Sequence, residues 1–164
     1  MIDFSTHRTV AWDNGKVVFI DQTKLPGKVS YARCSSYHEV ADCIRKMVVR
    51  GAPAIGVAAA MGVALAGAAS KAKRVSDLIS ELQTAIAELR QTRPTAVNLF
   101  WGLDRMLAVA QSAGKSVAAM KDALVKEAIQ MADQDVQTNR RLGKFGAELL
   151  EDGDVVLTHC RWPN

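Results

Sequence analysis

Eighteen consecutive residues without a charge, Ala52 to Ala69, constrain this chain more than any other feature. The run is mostly Ala and Gly, opens with Pro53 near its front, and carries Gly56, Gly62 and Gly67 inside it. Its length sits at the lower limit for crossing a bilayer, and a buried, close-packed helix is the better reading. The three glycines would let neighbouring helices approach its backbone closely. Pro53 suits the first turn, where the N–H it lacks would be unpaired anyway.

The flanking sequence supplies neighbours for that helix. Ser36, with Glu39 three residues on, has capping-box spacing, and Val40, Ile44, Met47 and Val48 follow as one apolar stripe. Arg50-Gly51 breaks that first helix before the uncharged run begins. Ser76 is expected to cap a third helix through Leu78, Leu82, Ile86 and Leu89, at three- and four-residue steps. Pro94-Thr95 should open a fourth through Val97, Trp101 and Leu107 to Gly114. Ser116 starts a fifth stretch reaching about Leu150, with Gly143 or Gly146 as candidate breaks. Before Ser36 the apolar period is two. Val10 to Trp12 and Lys16 to Ile20 flank Asp13-Asn14-Gly15, a strong hairpin signal. After a second turn at Pro26-Gly27, Val29 to Arg33 would form a third strand. Such a β cap is too thin to be stable alone. At the other end, Glu151-Asp152-Gly153 reads as a turn and Asp154 to Thr158 as a buried parallel strand.

The fold class expected is therefore α+β and mostly α. A small N-terminal β region occupies residues 1–35, a helical bundle subdomain 36–150, and the first strand of a further domain 151–164.

The chain has 164 residues, of which 49% are hydrophobic and only 5% aromatic, so its core must be built from Ala, Val, Leu, Ile and Met. A net charge of +4 invites a nucleic-acid reading, but the 21 basic and 17 acidic residues are interleaved. Nucleic-acid binders usually gather charge on one face, so no nucleic-acid partner is expected, and no membrane one. Three cysteines, Cys34, Cys43 and Cys160, form no C-x-x-C pair, which suits a reducing cytoplasm. No signal peptide is expected at the start, where Asp3, His7 and Arg8 interrupt any apolar segment. His7, His38 and His159 lack metal-ligand spacing, and no metal is expected.

Three segments have the residue types for chemistry. Arg50-Gly51-Ala52-Pro53-Ala54-Ile55-Gly56 is a glycine turn feeding a helix N-terminus beside an arginine. Free N–H groups and the positive end of the helix dipole suit a phosphate or sugar oxyanion. The alternative is a tight interhelical turn whose glycines serve packing. Thr92-Arg93-Pro94-Thr95-Ala96-Val97-Asn98 again places an arginine ahead of a helix start. Arg93 can make a bidentate contact with phosphate, or can be a solvated arginine beside an ordinary cap. Thr158-His159-Cys160 ends the expected parallel strand, where open α/β sheets place reactive groups. Cys160 can serve as acid, base or nucleophile if its pKa is adjusted, or can be a buried structural thiol. Cys34 and Cys43 have no evident partners and read as structural.

Together these segments carry a resemblance. Met47-Val48-Val49-Arg50-Gly51-Ala52-Pro53-Ala54-Ile55-Gly56 and Thr92-Arg93-Pro94-Thr95-Ala96-Val97-Asn98-Leu99 resemble the methylthioribose-1-phosphate isomerase family. So do Thr138-Asn139-Arg140-Arg141, Gly146-Ala147-Glu148-Leu149-Leu150 and Val156-Leu157-Thr158-His159-Cys160. Trp12-Asp13-Asn14-Gly15 and Asp21-Gln22-Thr23-Lys24-Leu25-Pro26 fit as well, so the match runs in order over residues 8–160.

The resemblance implies aldose–ketose isomerisation of 5-methylthioribose 1-phosphate in methionine salvage, without a cofactor. It implies substrate contacts at Arg50, Gly51, Ala52 and Arg93, and a role for Cys160 in proton transfer or transition-state stabilisation. It further implies that residues 151–164 are the start of a truncated Rossmann-like domain, whose catalytic aspartate would lie beyond Arg161-Trp162-Pro163-Asn164. An inactive N-terminal portion of such an isomerase, self-associated as a homo-oligomer through its apolar face, is the favoured expectation. A non-catalytic regulatory subunit of the initiation-factor-2B type and a helical assembly module are the alternatives.

Overall fold

A computed structural model describes residues 8–114 and 116–157. Its elements are strands β1 (Val10–Asp13), β2 (Lys16–Ile20) and β3 (Tyr31–Cys34), then helices α1 (Tyr37–Arg45), α2 (Ala52–Ala69), α3 (Val75–Arg90), α4 (Val97–Ser112) and α5 (Val117–Ala147). The α+β, mostly helical class is the one expected from the apolar periods.

The strands form an antiparallel sheet in the order β1-β2-β3. Asp13 opposes Lys16 across the first turn, and Asn14 (φ 47°) with Gly15 (φ 77°) occupies it. Two left-handed residues match the twist of a two-residue hairpin, which is why Asn-Gly marks one. Gln22–Lys24 forms one turn of 3-10 helix, N-capped by the Asp21 carboxylate. The third strand is set two residues later than its period suggests, because Lys28 N–H closes the Pro26-Gly27 turn onto Lys24 O at 2.9 Å.

Helix α2 is the axis of the molecule. It contacts α1, α3, α4 and α5 as well as β1 and β2, and nearly every residue from Ile55 to Gly67 is buried. By length and composition it passes for a membrane-crossing segment, yet 67% of it is buried inside the protein. Its glycines meet different neighbours. A Cβ on Gly56 would lie 2.7 Å from Asn98 O of α4, and one on Gly62 would lie 3.2 Å from Val40 and Leu89 of α1 and α3. One on Gly67 would lie 2.9 Å from Leu124 of α5. The sheet contributes Val10, Val17 and Phe19 to the same core.

The capping box at Ser36 and Glu39 is present, and Ser36 starts α1 as its spacing implies. Ser116 likewise caps α5, accepting from Ala119 N–H at 3.2 Å. Four further details differ from expectation. Helix α3 begins at Val75 rather than after a Ser76 cap, because Arg74 grips Asp77 through two bonds of 2.9 and 2.8 Å. Helix α4 begins at Val97, because the segment after Pro94 first closes a turn from Ala96 N–H to Arg93 O at 3.0 Å. Helix α5 runs unbroken through Gly143 and Gly146 to Ala147. An interior glycine weakens a helix by only about 1 kcal/mol, too little to interrupt one of 31 residues. Finally, residues 154–157 are not a strand. A parallel strand needs a neighbour to pair with, none lies beside this segment among the described residues, and Val155 and Leu157 are each 98% exposed.

Candidate functional site

The turn before α2 is built by a helix-ending motif. Helix α1 stops at Arg45, and Met47 N–H then bonds Ile44 O at 3.2 Å while Val48 N–H bonds Cys43 O at 2.9 Å. These crossed bonds form a Schellman motif, whose turning residue is usually glycine in the left-handed region. Here it is Met47, at φ 59°. The chain then passes through Arg50 to Gly51 (φ 91°, ψ 130°), whose carbonyl accepts Ile55 N–H at 3.0 Å to begin α2. Gly51 provides no side-chain cap, so the first N–H groups of α2 remain available to a ligand.

Gln22 fastens this turn to the sheet. Its backbone N–H donates to Val48 O at 3.0 Å, and its Nε2 donates to Arg50 O at 3.3 Å. Arg50, Gly51, Ala52 and Pro53 are exposed.

The second segment arrives through α4. A Cβ on Gly102 would lie 2.5 Å from Gly56 O, and one on Gly56 would lie 2.7 Å from Asn98 O. Backbone therefore packs on backbone at the first turns of α2 and α4. Gly56 is five residues beyond Gly51, about 7 Å along a helix axis, so the two helix starts lie at one end of the molecule. Both carry the positive end of a dipole. Thr92 closes the C-terminus of α3, its hydroxyl donating to Leu89 O at 2.6 Å. Arg93, partly buried, follows it on the approach to α4.

The guanidinium groups of Arg50 and Arg93 have no carboxylate partner among the described residues. Arg140 and Arg141, on the exposed end of α5, share that condition, whereas Arg8 pairs with Asp133, Arg33 with Asp13, Arg45 with Asp42, Arg74 with Asp77, Arg90 with Asp104 and Arg105 with Glu127. Neither 50–56 nor 92–98 contains an Asp, Glu, His, Cys, Lys or Tyr. What these segments can do is bind and orient an anion, and the groups that move protons must come from elsewhere. Thr158, His159 and Cys160 lie outside the described residues.

Two contacts escape sequence reasoning. Gln22 reaches across 28 positions to Arg50 with no periodic signal to mark it. Cys34 and Cys43, expected to lack partners, instead face each other, Sγ to Sγ at 3.5 Å. Strand β3 and helix α1 are joined by a short turn, which folds the two thiols together. No cluster of three or more potential metal ligands occurs among the described residues.

A 5-deoxyribose 1-phosphate isomerase from Moorella thermoacetica is 48% identical over 152 residues, covering 92% of this chain and 43% of that protein. The solved 5-methylthioribose 1-phosphate isomerase from Pyrococcus horikoshii OT3 superposes with a TM-score of 0.85 at 42% identity, over 89% of this chain and 41% of that one. The structure solved as translation initiation factor eIF-2B, subunit delta, from A. fulgidus also superposes at 0.85, with 48% identity over 94% and 45% of the two chains. The chain thus spans less than half the length of the relatives it matches. The sequence profile of the initiation factor 2 subunit family matches residues 48–162, a stretch that contains both arginine-led helix starts and the Thr158-His159-Cys160 segment. This chain belongs to the initiation factor 2 subunit family.

Proposed function

We propose that this chain supplies one wall of a sugar-phosphate isomerase site that acts on 5-methylthioribose 1-phosphate in methionine salvage. The observation that carries the reading is the pair of helix starts held together at Gly56 and Gly102, each preceded by an arginine without an acidic partner among the described residues. Arg50, Gly51 and Ala52 bind the phosphate or a sugar oxygen at the start of α2, and Arg93 binds from the start of α4. Cys160 assists transfer of hydrogen from C2 to C1 as the ring C1–O bond breaks, so that C2 becomes the ketone and C1 keeps its phosphate. Likeness to relatives named as isomerases of two 5-substituted pentose 1-phosphates supports this substrate class.

The further length of those relatives has to provide the opposite wall and the acid–base partner of Cys160. General acid–base catalysis contributes about 10²–10⁴ in rate, so residues 1–164 by themselves should turn over slowly. The test is an assay of ketose formation by this chain beside the P. horikoshii enzyme, with Cys160→Ser as control. We expect a rate at least about 10²-fold lower. A rate within tenfold, abolished by Cys160→Ser, would overturn the division of the site into two walls. The likeness to a structure named as an initiation factor subunit favours a non-catalytic regulatory role as the second reading. Failure of 5-methylthioribose 1-phosphate to bind at all would favour it.

A cytoplasmic setting and self-association complete the proposal. Leu142, Phe145, Leu149 and Leu150 are exposed at the end of α5 and beyond it, and apolar surface of this kind favours association. Sedimentation at micromolar concentration should show a dimer or larger species, and a clean monomer would refute that part.

A further inference from the structure

We propose that Cys34 and Cys43 are an oxidant-responsive pair that closes a reversible disulfide between β3 and α1, stiffening the turn that carries Arg50 and Gly51. The two sulfurs are already 3.5 Å apart, on different elements. A disulfide requires them to close to about 2.05 Å. Cys34 is 2% exposed, whereas Cys43 is only partly buried and open to a small oxidant. Their chemistry is unequal in the useful direction. The contact between the two thiols raises the Cys34 pKa and lowers that of Cys43; the Lys46 ammonium also favours the Cys43 thiolate, while burial and the Asp21 and Asp42 carboxylates oppose it without reversing the shift. Thiolate is the form that reacts with oxidants.

The oxidant assigned is a peroxide. The Cys43 thiolate attacks one peroxide oxygen and the O–O bond breaks, giving a sulfenic acid and, from hydrogen peroxide, hydroxide. Cys34 sulfur then attacks the Cys43 sulfur and expels the sulfenic oxygen as water, taking up the proton that Cys34 gives up. Two thiols are oxidised and one peroxide becomes two waters. A dithiol reductant reverses the bond.

The position of Cys43 gives the bond a consequence. Its carbonyl accepts Val48 N–H, and the Val48 carbonyl accepts Gln22 N–H, while Gln22 Nε2 holds Arg50 O. Tying Cys43 to β3 therefore braces the same turn from its α1 side. The inference about the thiols stands without the isomerase reading. Its effect on a ligand would rest on that reading, and so the readouts chosen need no substrate.

Trypsin cuts after Arg33 and Arg45, leaving both cysteines in one peptide, residues 34–45. After mild hydrogen peroxide treatment of the purified chain, that peptide should be lighter by two hydrogen atoms. It should resist iodoacetamide until dithiothreitol is added. Cys43→Ser should abolish the mass change. Amide exchange across residues 46–51 should slow in the oxidised form, with α3 unchanged. A peptide that stays fully alkylatable, that gains oxygen without linking, or that links instead to another chain would overturn the disulfide. Unchanged exchange across 46–51 in the linked protein would overturn the bracing.

Discussion

Replacing Gly102 by alanine should loosen the joint on which the candidate site depends. The added methyl would sit 2.5 Å from Gly56 O and 3.1 Å from Gly56 C, where ordinary contact begins near 3.4 Å. The obstacle is backbone inside a helix, so no rotamer change relieves it, and α4 must move off α2 by a substantial part of an ångström. Overpacking of this kind costs about 1–3 kcal/mol, and an unyielding backbone contact puts it toward the upper end. Alanine returns about 1 kcal/mol of helix propensity, leaving a net loss of roughly 1–2 kcal/mol. For a chain of this length that lowers Tm by about 2–8 °C. Gly143 provides the control, since it lies in the exposed part of α5 with nothing within 4 Å of an added Cβ. Gly143→Ala should feel propensity alone and gain up to about 1 kcal/mol. Thermal unfolding followed by circular dichroism separates the two signs. If Gly102→Ala melts at or above the parent, the close packing of α2 on α4 is wrong, and with it the argument that joins Arg50 to Arg93.

Met47→Gly should stabilise the chain by about 0.5–1 kcal/mol, because glycine occupies the left-handed Schellman position without a Cβ penalty and Met47 is already 40% exposed. An unchanged or lower urea midpoint would contradict that. Asp21→Ala should cost about 1 kcal/mol at neutral pH, since the carboxylate caps Thr23 N–H at 3.1 Å and accepts its hydroxyl at 2.6 Å. The Thr23 hydroxyl bond, helped by Lys24, holds the Asp21 pKa below its ordinary 3.8. A depressed carboxylate pKa stabilises above the unfolded value and stops doing so as pH falls through the folded one. The difference between parent and variant should accordingly hold at pH 7 and shrink below 3.8; a gap that widens there would refute the assignment.

Features that depend on neighbours in sequence were legible before any coordinates. The Asn14-Gly15 hairpin, the Ser36 and Ser116 caps and the buried helix from Ala52 to Ala69 each follow from turn chemistry, cap spacing or lack of charge. The start of α3 lies ahead of Ser76 because an Arg74–Asp77 ion pair, at the same three-residue spacing as a capping box, takes the place of a hydroxyl cap. The two arginine-led segments stood out by composition, but their meeting did not. It depends on Gly102, an ordinary-looking glycine within α4, closing on Gly56. The bonds from Gln22 to the turn before α2 and the Cys34–Cys43 contact are likewise products of tertiary folding, with no period to announce them. The 154–158 run has the composition of a buried strand, yet composition cannot supply the partner strand that pairing requires.

The central claim is that the starts of α2 and α4 together hold a sugar phosphate. A titration of the isotopically labelled chain with 5-methylthioribose 1-phosphate, followed by amide chemical shifts, tests it most directly. The account predicts that the amides of Gly51, Ala52 and Ala54 and those of Val97 and Asn98 shift with one common affinity. It also predicts that Arg50→Ala and Arg93→Ala each weaken that affinity while leaving the fold intact. Shifts confined to one helix start, shifts elsewhere in the chain, or an affinity indifferent to both arginines would contradict it.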